Sequence, residues 1–162
     1  MKRKKRRRGR KSILDKTCTY CIEILDWELP YSFSVNRNKD FISGPFWEHM
    51  NLKLKGKIFQ PEKLFDKVIE VNIIGDRRYI PLLQDPESKD YDPKAIGMLT
   101  IRGRQSECSS WLPFDVLQIF AFLLKEEKIK FLILSGQHLY RGRADITSIY
   151  FEEHYDPADW NL

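Results

Sequence analysis

The chain has 162 residues, 42% apolar and 13% aromatic, which suits one packed domain with a tail and is too apolar for a disordered chain. Its net charge of +5 hides an asymmetry: nine of the 28 Lys and Arg lie in residues 1–11 with no acid among them, so the remainder holds fewer bases than its 23 acids. The longest nearly apolar run, Val116–Leu124, has nine residues, far short of the ~20 that span a bilayer, and three cysteines without a dense framework point to a reducing compartment.

The chain opens with "MKRKKRRRGRK". Lys2, Arg3, Lys4, Lys5, Arg6, Arg7, Arg8, Arg10 and Lys11 repel one another, so residues 1–12 are expected to form a disordered basic arm ahead of one globular domain over 13–162. No apolar segment follows the basic start, so no signal peptide is read. Such an arm binds phosphate backbones by counterion release, without sequence preference and with a steep salt dependence. Anionic membrane surfaces are an equal electrostatic target. A nuclear address, a solubilising tail and a start site placed too far upstream are the remaining readings.

Short strands follow. Thr17–Trp27 mixes β-branched and aromatic residues and ends before Pro30. Tyr31, Phe33 and Val35 alternate with Ser32, Ser34 and Asn36, and residues 36–40 read as a polar turn. His49–Phe59 has the clearest alternation, with Met50, Leu52, Leu54, Gly56 and Ile58 against Asn51, Lys53, Lys55 and Lys57. One apolar and one lysine-rich face predict an antiparallel sheet with a solvated side, and suggest its edge. Lys67–Asp76 reads as a further strand and Arg77–Leu83 as a short one. "QDPESKDYDPK" at 84–94 reads as a loop, and Ala95–Arg104 as a strand.

The pattern then changes period. Pro113 and Asp115 suit a helix start. Val116, Leu117, Phe120, Ala121, Leu123 and Leu124 make a broad apolar stripe opposite Asp115, Gln118, Lys125 and Glu126. Phe122 falls inside that polar face, which marks it as an interface candidate for a protein partner or for self-association. "IKFLIL" at 129–134 is apolar on nearly every residue, as a central strand covered on both faces would be. Ala144–Glu153 reads as its partner across the loop Ser135–Arg143. The expected class is α+β: a mainly antiparallel sheet of about seven or eight strands, as a sandwich or partly closed barrel, with one amphipathic helix near the C-terminal end.

No stretch specifies a reaction. Cys18-x-x-Cys21 with Cys108 and His138 has ligand residue types, but thiols three apart on a strand point to opposite faces, so no metal is expected. Glu48 and His49 are adjacent and diverge likewise, and no nucleophile, zincin or phosphate-loop motif is present. No catalytic residue and no cofactor is read. "QHLYRGR" gathers His138, Tyr140, Arg141 and Arg143 around Gly142, where guanidinium forks beside a ring could take phosphate or carboxylate. Arg77, Arg78, Arg102 and Arg104 stand near other strand ends and are candidates to join them. Against this stands a solvated hairpin whose arginines pair with surplus acids. The four tryptophans read as core or lid residues.

"DPKAIGMLTIRGR", "LPFDVLQIFAFLL" and "GQHLYRGRADITSIYFEEHYDPADW", with "NLKLKGKIFQPEKL", resemble small uncharacterised bacterial proteins over the whole body but not the arm. The resemblance brings no activity or ligand. It implies a free-standing, cytoplasmic bacterial protein. The expected function is a non-enzymatic binding or accessory protein whose arm associates with nucleic acid. The alternatives are a protein-interaction or homo-oligomeric module, and a small hydrolase or anionic-ligand-binding protein.

Overall fold

In the computed structural model, residues 17–35, 46–75, 87, 95–103 and 105–160 are described, the side chain of Trp47 aside. The chain forms β1 (Thr17–Glu28), β2 (Tyr31–Val35), β3 (Phe46–Gln60), β4 (Val68–Gly75), β5 (Gly97–Arg102) and β6 (Gln105–Leu112). One helix, α1 (Phe114–Lys125), then leads to β7 (Phe131–Gln137) and β8 (Arg143–Glu152). The expected arm, the 36–40 turn, Arg77–Leu83 and nearly all of the 84–94 loop lie outside the described residues.

The expectation of an α+β, mainly antiparallel fold holds, and the partly closed barrel is in fact closed. The strand order is β1-β7-β8-β5-β6-β4-β3, and β1 pairs with β3 to complete the ring. Strand direction alternates around the ring, and seven is odd, so one neighbouring pair must be parallel. That pair is β4–β6, from Glu70 opposite Glu107 to Gly75 opposite Leu112.

Closure runs through β1, which uses its two halves differently. Thr17–Glu23 pairs with β7, and Cys21–Glu28 pairs with β3 through two register shifts. Such bulges bend a strand and raise its twist, which lets it turn the corner. Gly56 lies at this seam opposite Ile24. A Cβ there would sit 2.5 Å from both the Glu23 carbonyl oxygen and Ile22 Cγ2, so glycine is what allows the two strands to approach.

Strand β3 corrects one expectation. Its Lys face suggested an edge, yet β3 has β4 on one side and both β1 and β2 on the other. The lysines are tolerated because register sets acids beside them. Lys57, Lys55 and Lys53 face Glu23, Asp26 and Glu28 of β1, and Lys55 faces Glu70 of β4. Lys53 Nζ is 2.6 Å from Glu28, and Lys57 Nζ is 2.6 Å from Asp66.

The inward faces fill the barrel. Met50, Leu52, Leu54 and Ile58 of β3 meet Ile69, Val71 and Ile73 of β4, Leu99, Cys108, Ala144, Ile146, Leu132, Leu134, Tyr20 and Ile22. Register fixes two mouths. At one, β4, β6, β1 and β8 end and β7 begins; α1 joins β6 to β7 across it. Helix residues Phe114, Leu117, Ala121 and Leu124 are buried there, so the helix stoppers a barrel end rather than lying back along β7. Partly buried Leu64, Leu139 and Ile101 pack on the core at the other mouth.

The "IKFLIL" segment is covered on both faces, as its composition requires. Leu132 and Leu134 belong to the barrel interior, while Ile133, on the opposite face beside Cys21, is also fully buried. The C-terminal segment lies over that outer face. The Tyr155 hydroxyl donates to Gln60 Oε1, and the Tyr155 ring is 6.1 Å from that of Phe59 and 6.0 Å from that of Phe131.

One strand has no signature in the sequence. In β6, "QSECSSWL", the inward positions are Ser106, Cys108 and Ser110, so no apolar alternation marks it. Ser110 is nevertheless fully buried, and its hydroxyl donates to the Ile96 carbonyl at 2.6 Å.

If α1 is the stopper, its two faces differ in cost. Leu117→Ala, fully buried, should lose about 3 kcal/mol, whereas Phe122→Ala, 61% exposed, should change stability by less than about 0.5 kcal/mol. Urea unfolding of both variants checks this; equal losses would contradict the placement of the helix.

Candidate functional site

The predicted cysteine group separates in space, and the basic hairpin comes together. Cys18 packs on the barrel core, Cys21 is buried on the opposite face of β1, and Cys108 lies inside the barrel on β6. No group of three or more His, Cys, Asp or Glu suited to a metal exists among the described residues. Burial raises all three thiols. Cys21, with the nearby Glu23 charge adding to the effect, and Cys108 are both pushed up to about 12. They are neutral packed groups at physiological pH, not nucleophiles. Tyr20 is likewise held neutral by burial first and Cys18 second; its hydroxyl donates to the Gln137 carbonyl at 2.7 Å.

Phe122 is exposed on the outer face of α1, as the helical phase predicts. Ile119, three residues earlier, is 58% exposed beside it, an apolar neighbour that belongs to neither the apolar stripe nor the polar face named from the sequence.

The group that assembles is the basic hairpin. Between β7 and β8 the chain reverses through Arg141 and Gly142, with φ of 51° and 79°. Tyr140 and Arg143 close the turn by exchanging backbone hydrogen bonds of 2.8 and 3.1 Å. Two central residues at positive φ are the type I′ pattern, which matches strand twist and favours Asn-Gly. Gly142 fits that preference and Arg141 does not. A non-glycine residue there carries strain of about 1 kcal/mol.

Strand pairing brings a third arginine to this turn. Thr100 of β5 stands opposite Arg143, which carries Arg102 to the level of the turn. Arg102 Nε donates to the Arg141 carbonyl at 3.2 Å, and the Gly142 carbonyl accepts from Ile101 N–H at 2.9 Å. The Arg141 guanidinium lies over the Tyr140 ring, 5.2 Å from its centroid. Arg102, Arg141 and Arg143 are all exposed. Among the described residues none of the three forms an ion pair, unlike the Lys53–Glu28 and Lys57–Asp66 pairs on β3. The hairpin is solvated, as one of its two readings from the sequence has it, and its arginines have no acid partner among the described residues. His138 is half-buried at the root of the turn, with no hydrogen bond to Tyr140 or the arginines among the described residues. Arg77, Arg78 and Arg104 lie outside the described residues.

The position of this turn matters for the arm. Thr17, the first residue of β1, pairs with Gln137, the last of β7, so both termini of that pairing sit at the same mouth. Five residues separate Lys11 from Thr17, a reach of at most roughly 20 Å at about 3.5 Å per residue. The nine-charge arm is thus tethered at the end that carries the arginine turn.

A second concavity is of another kind. A depression of about 470 Å³ on the outer wall is lined by Asp26, Glu28, Lys53, Lys55, Glu70 and Asn72 among others. Its two bases already face acids across the strands and its three acids outnumber them, so it offers no net positive charge to an anion.

No protein-family model, no curated protein and no solved structure matches the chain. The sequence resemblance to small bacterial proteins accordingly brings no family assignment, and the site stands on its own geometry.

Two measurements follow from these groups. Arg141→Asn should stabilise the fold by about 0.5 kcal/mol, the relief of about 1 kcal/mol of backbone strain less an exposed cation–π interaction of about 0.5 kcal/mol; a lower urea midpoint would contradict the strained-turn reading. The raised thiols give an alkaline limit. A thiol whose folded value lies above its unfolded 9.0 ionises first in the unfolded chain, so stability is whole below pH 9 and falls as pH rises toward about 12. Thermal melts across that range should show the fall, and it should be shallower in Cys21→Ala/Cys108→Ala.

Proposed function

We propose that this chain is a non-enzymatic binding protein, bacterial and cytoplasmic, that associates with nucleic acid through the turn end of its barrel. The observation that carries this reading is the coincidence at one mouth of three exposed arginines, without acid partners among the described residues, and the root of the basic arm. Arginine forks suit phosphate oxygens geometrically, and the arm adds sequence-independent counterion release. The body as a whole has more acids than bases, so attraction is confined to this end and orients the protein on its partner. The packed interior favours binding at the rim over a ligand held inside. No helix of the described residues is long and apolar enough to cross a membrane.

Affinity for a mixed-sequence oligonucleotide measured over a salt series tests this. Deleting residues 1–11 should lower the affinity and flatten the log–log salt slope. Arg141→Gln/Arg143→Gln should flatten it further, by about 1 for each phosphate that is no longer neutralised. An affinity and slope untouched by the deletion would overturn the proposal.

A further inference from the structure

The turn end carries one group that phosphate binding leaves unused, the Tyr140 ring. From its surroundings we infer that this end selects single-stranded over duplex nucleic acid, with a base stacked on Tyr140 and the adjoining phosphates on Arg102, Arg141 and Arg143. This inference rests on the reading of the turn end as a nucleic-acid surface.

The ring is 47% exposed. Arg141 occupies one side of it at 5.2 Å, and among the described residues no second ring or cation meets it. A face is therefore left for a planar ligand. Its backbone is fixed by two hydrogen bonds to Arg143, so little backbone freedom is lost on binding. A ring face is a sequence-tolerant platform for any unpaired base. In a duplex the bases are stacked on each other and cannot reach it. The guanidiniums beside it supply what a lone aromatic lacks, an anchor for the charged backbone that brings the base.

The placement of Arg141 supports the same conclusion independently. A type I′ turn favours Asn at that position, and strained backbone clusters where function demands a particular side chain. An asparagine would ease the turn, but only a long cation reaches back over the Tyr140 ring.

Binding of a thymidine oligomer, an abasic oligomer of equal length and a matched duplex to the full chain at one salt concentration tests this. The wild type should bind the thymidine oligomer more tightly than either control. Tyr140→Ala should weaken the thymidine oligomer about tenfold, leave the abasic oligomer and duplex unchanged, and keep the salt slope. Tyr140→Phe should retain the preference. Equal wild-type affinity for all three, or an equal effect of Tyr140→Ala on all three, overturns the inference and leaves the proposed function standing. Failure of the wild type to bind any of them overturns both. A thermal melt of each variant shows that the fold is intact.

Discussion

The pairing of β1 with β3 is the constraint from which the rest of this structure follows. Without it the seven strands would be an open sheet with two bare edges, which invite pairing with other chains. With it they form a ring. The seam depends on a bent β1 and on Gly56, whose missing side chain lets the Glu23 backbone approach. Closure of an odd number of alternating strands then obliges one neighbouring pair to run parallel, and that pair is β4 and β6. It also creates two mouths, one crossed by α1 and the other carrying the β7–β8 turn. The position of every candidate group is a consequence of that ring.

Packing fills the barrel interior and leaves the rim as the accessible surface at its ends. Inward positions of nearly every strand carry Leu, Ile, Val or Met, with Leu117 of the helix entering one end. What varies around the outside is how charge is compensated. On β3, register sets lysines beside acids, and exposed pairs of that kind contribute little and attract little. At the turn end the arginines have no acid partner among the described residues, and the same end holds the root of a nine-charge arm. The difference between these two basic surfaces, not the net charge of +5, underlies the proposed association with nucleic acid.

Much of this was legible in the residues. The alternation of Met50 through Ile58 marked the longest strand, and the unbroken apolar run near Ile133 marked the strand covered on both faces. The change of period at Pro113 marked the helix. What was not legible had physical reasons. Strand β6 carries Ser106, Cys108 and Ser110 inward, so a fully buried hydroxyl satisfied by the Ile96 carbonyl leaves no apolar signature. The lysines of β3 imitated an edge because their acid partners lie 25 to 34 positions back on β1 and 15 ahead on β4, and only pairing brings them together. Within the site, "QHLYRGR" announced a basic loop. Arg102 was one of four strand-end arginines that were candidates to join it, and the pairing of β5 with β8 selects it. That Thr17 begins beside Gln137 depends on ring order, and that Arg141 is strained and covers Tyr140 depends on the turn conformation; no residue pattern encodes either.

The central claim is that the barrel end bearing the Arg141 turn and the root of the arm forms one nucleic-acid surface. Amide chemical shifts of the full chain, followed while a short single-stranded oligonucleotide is added, test it most directly. The account predicts perturbations gathered on Thr17–Thr19, Ile101–Gly103 and Gln137–Ala144, with α1 and the β3 lysine face unmoved. Shifts centred on Phe114–Lys125 or on Lys53–Lys57, or no shifts at saturating oligonucleotide, would contradict it.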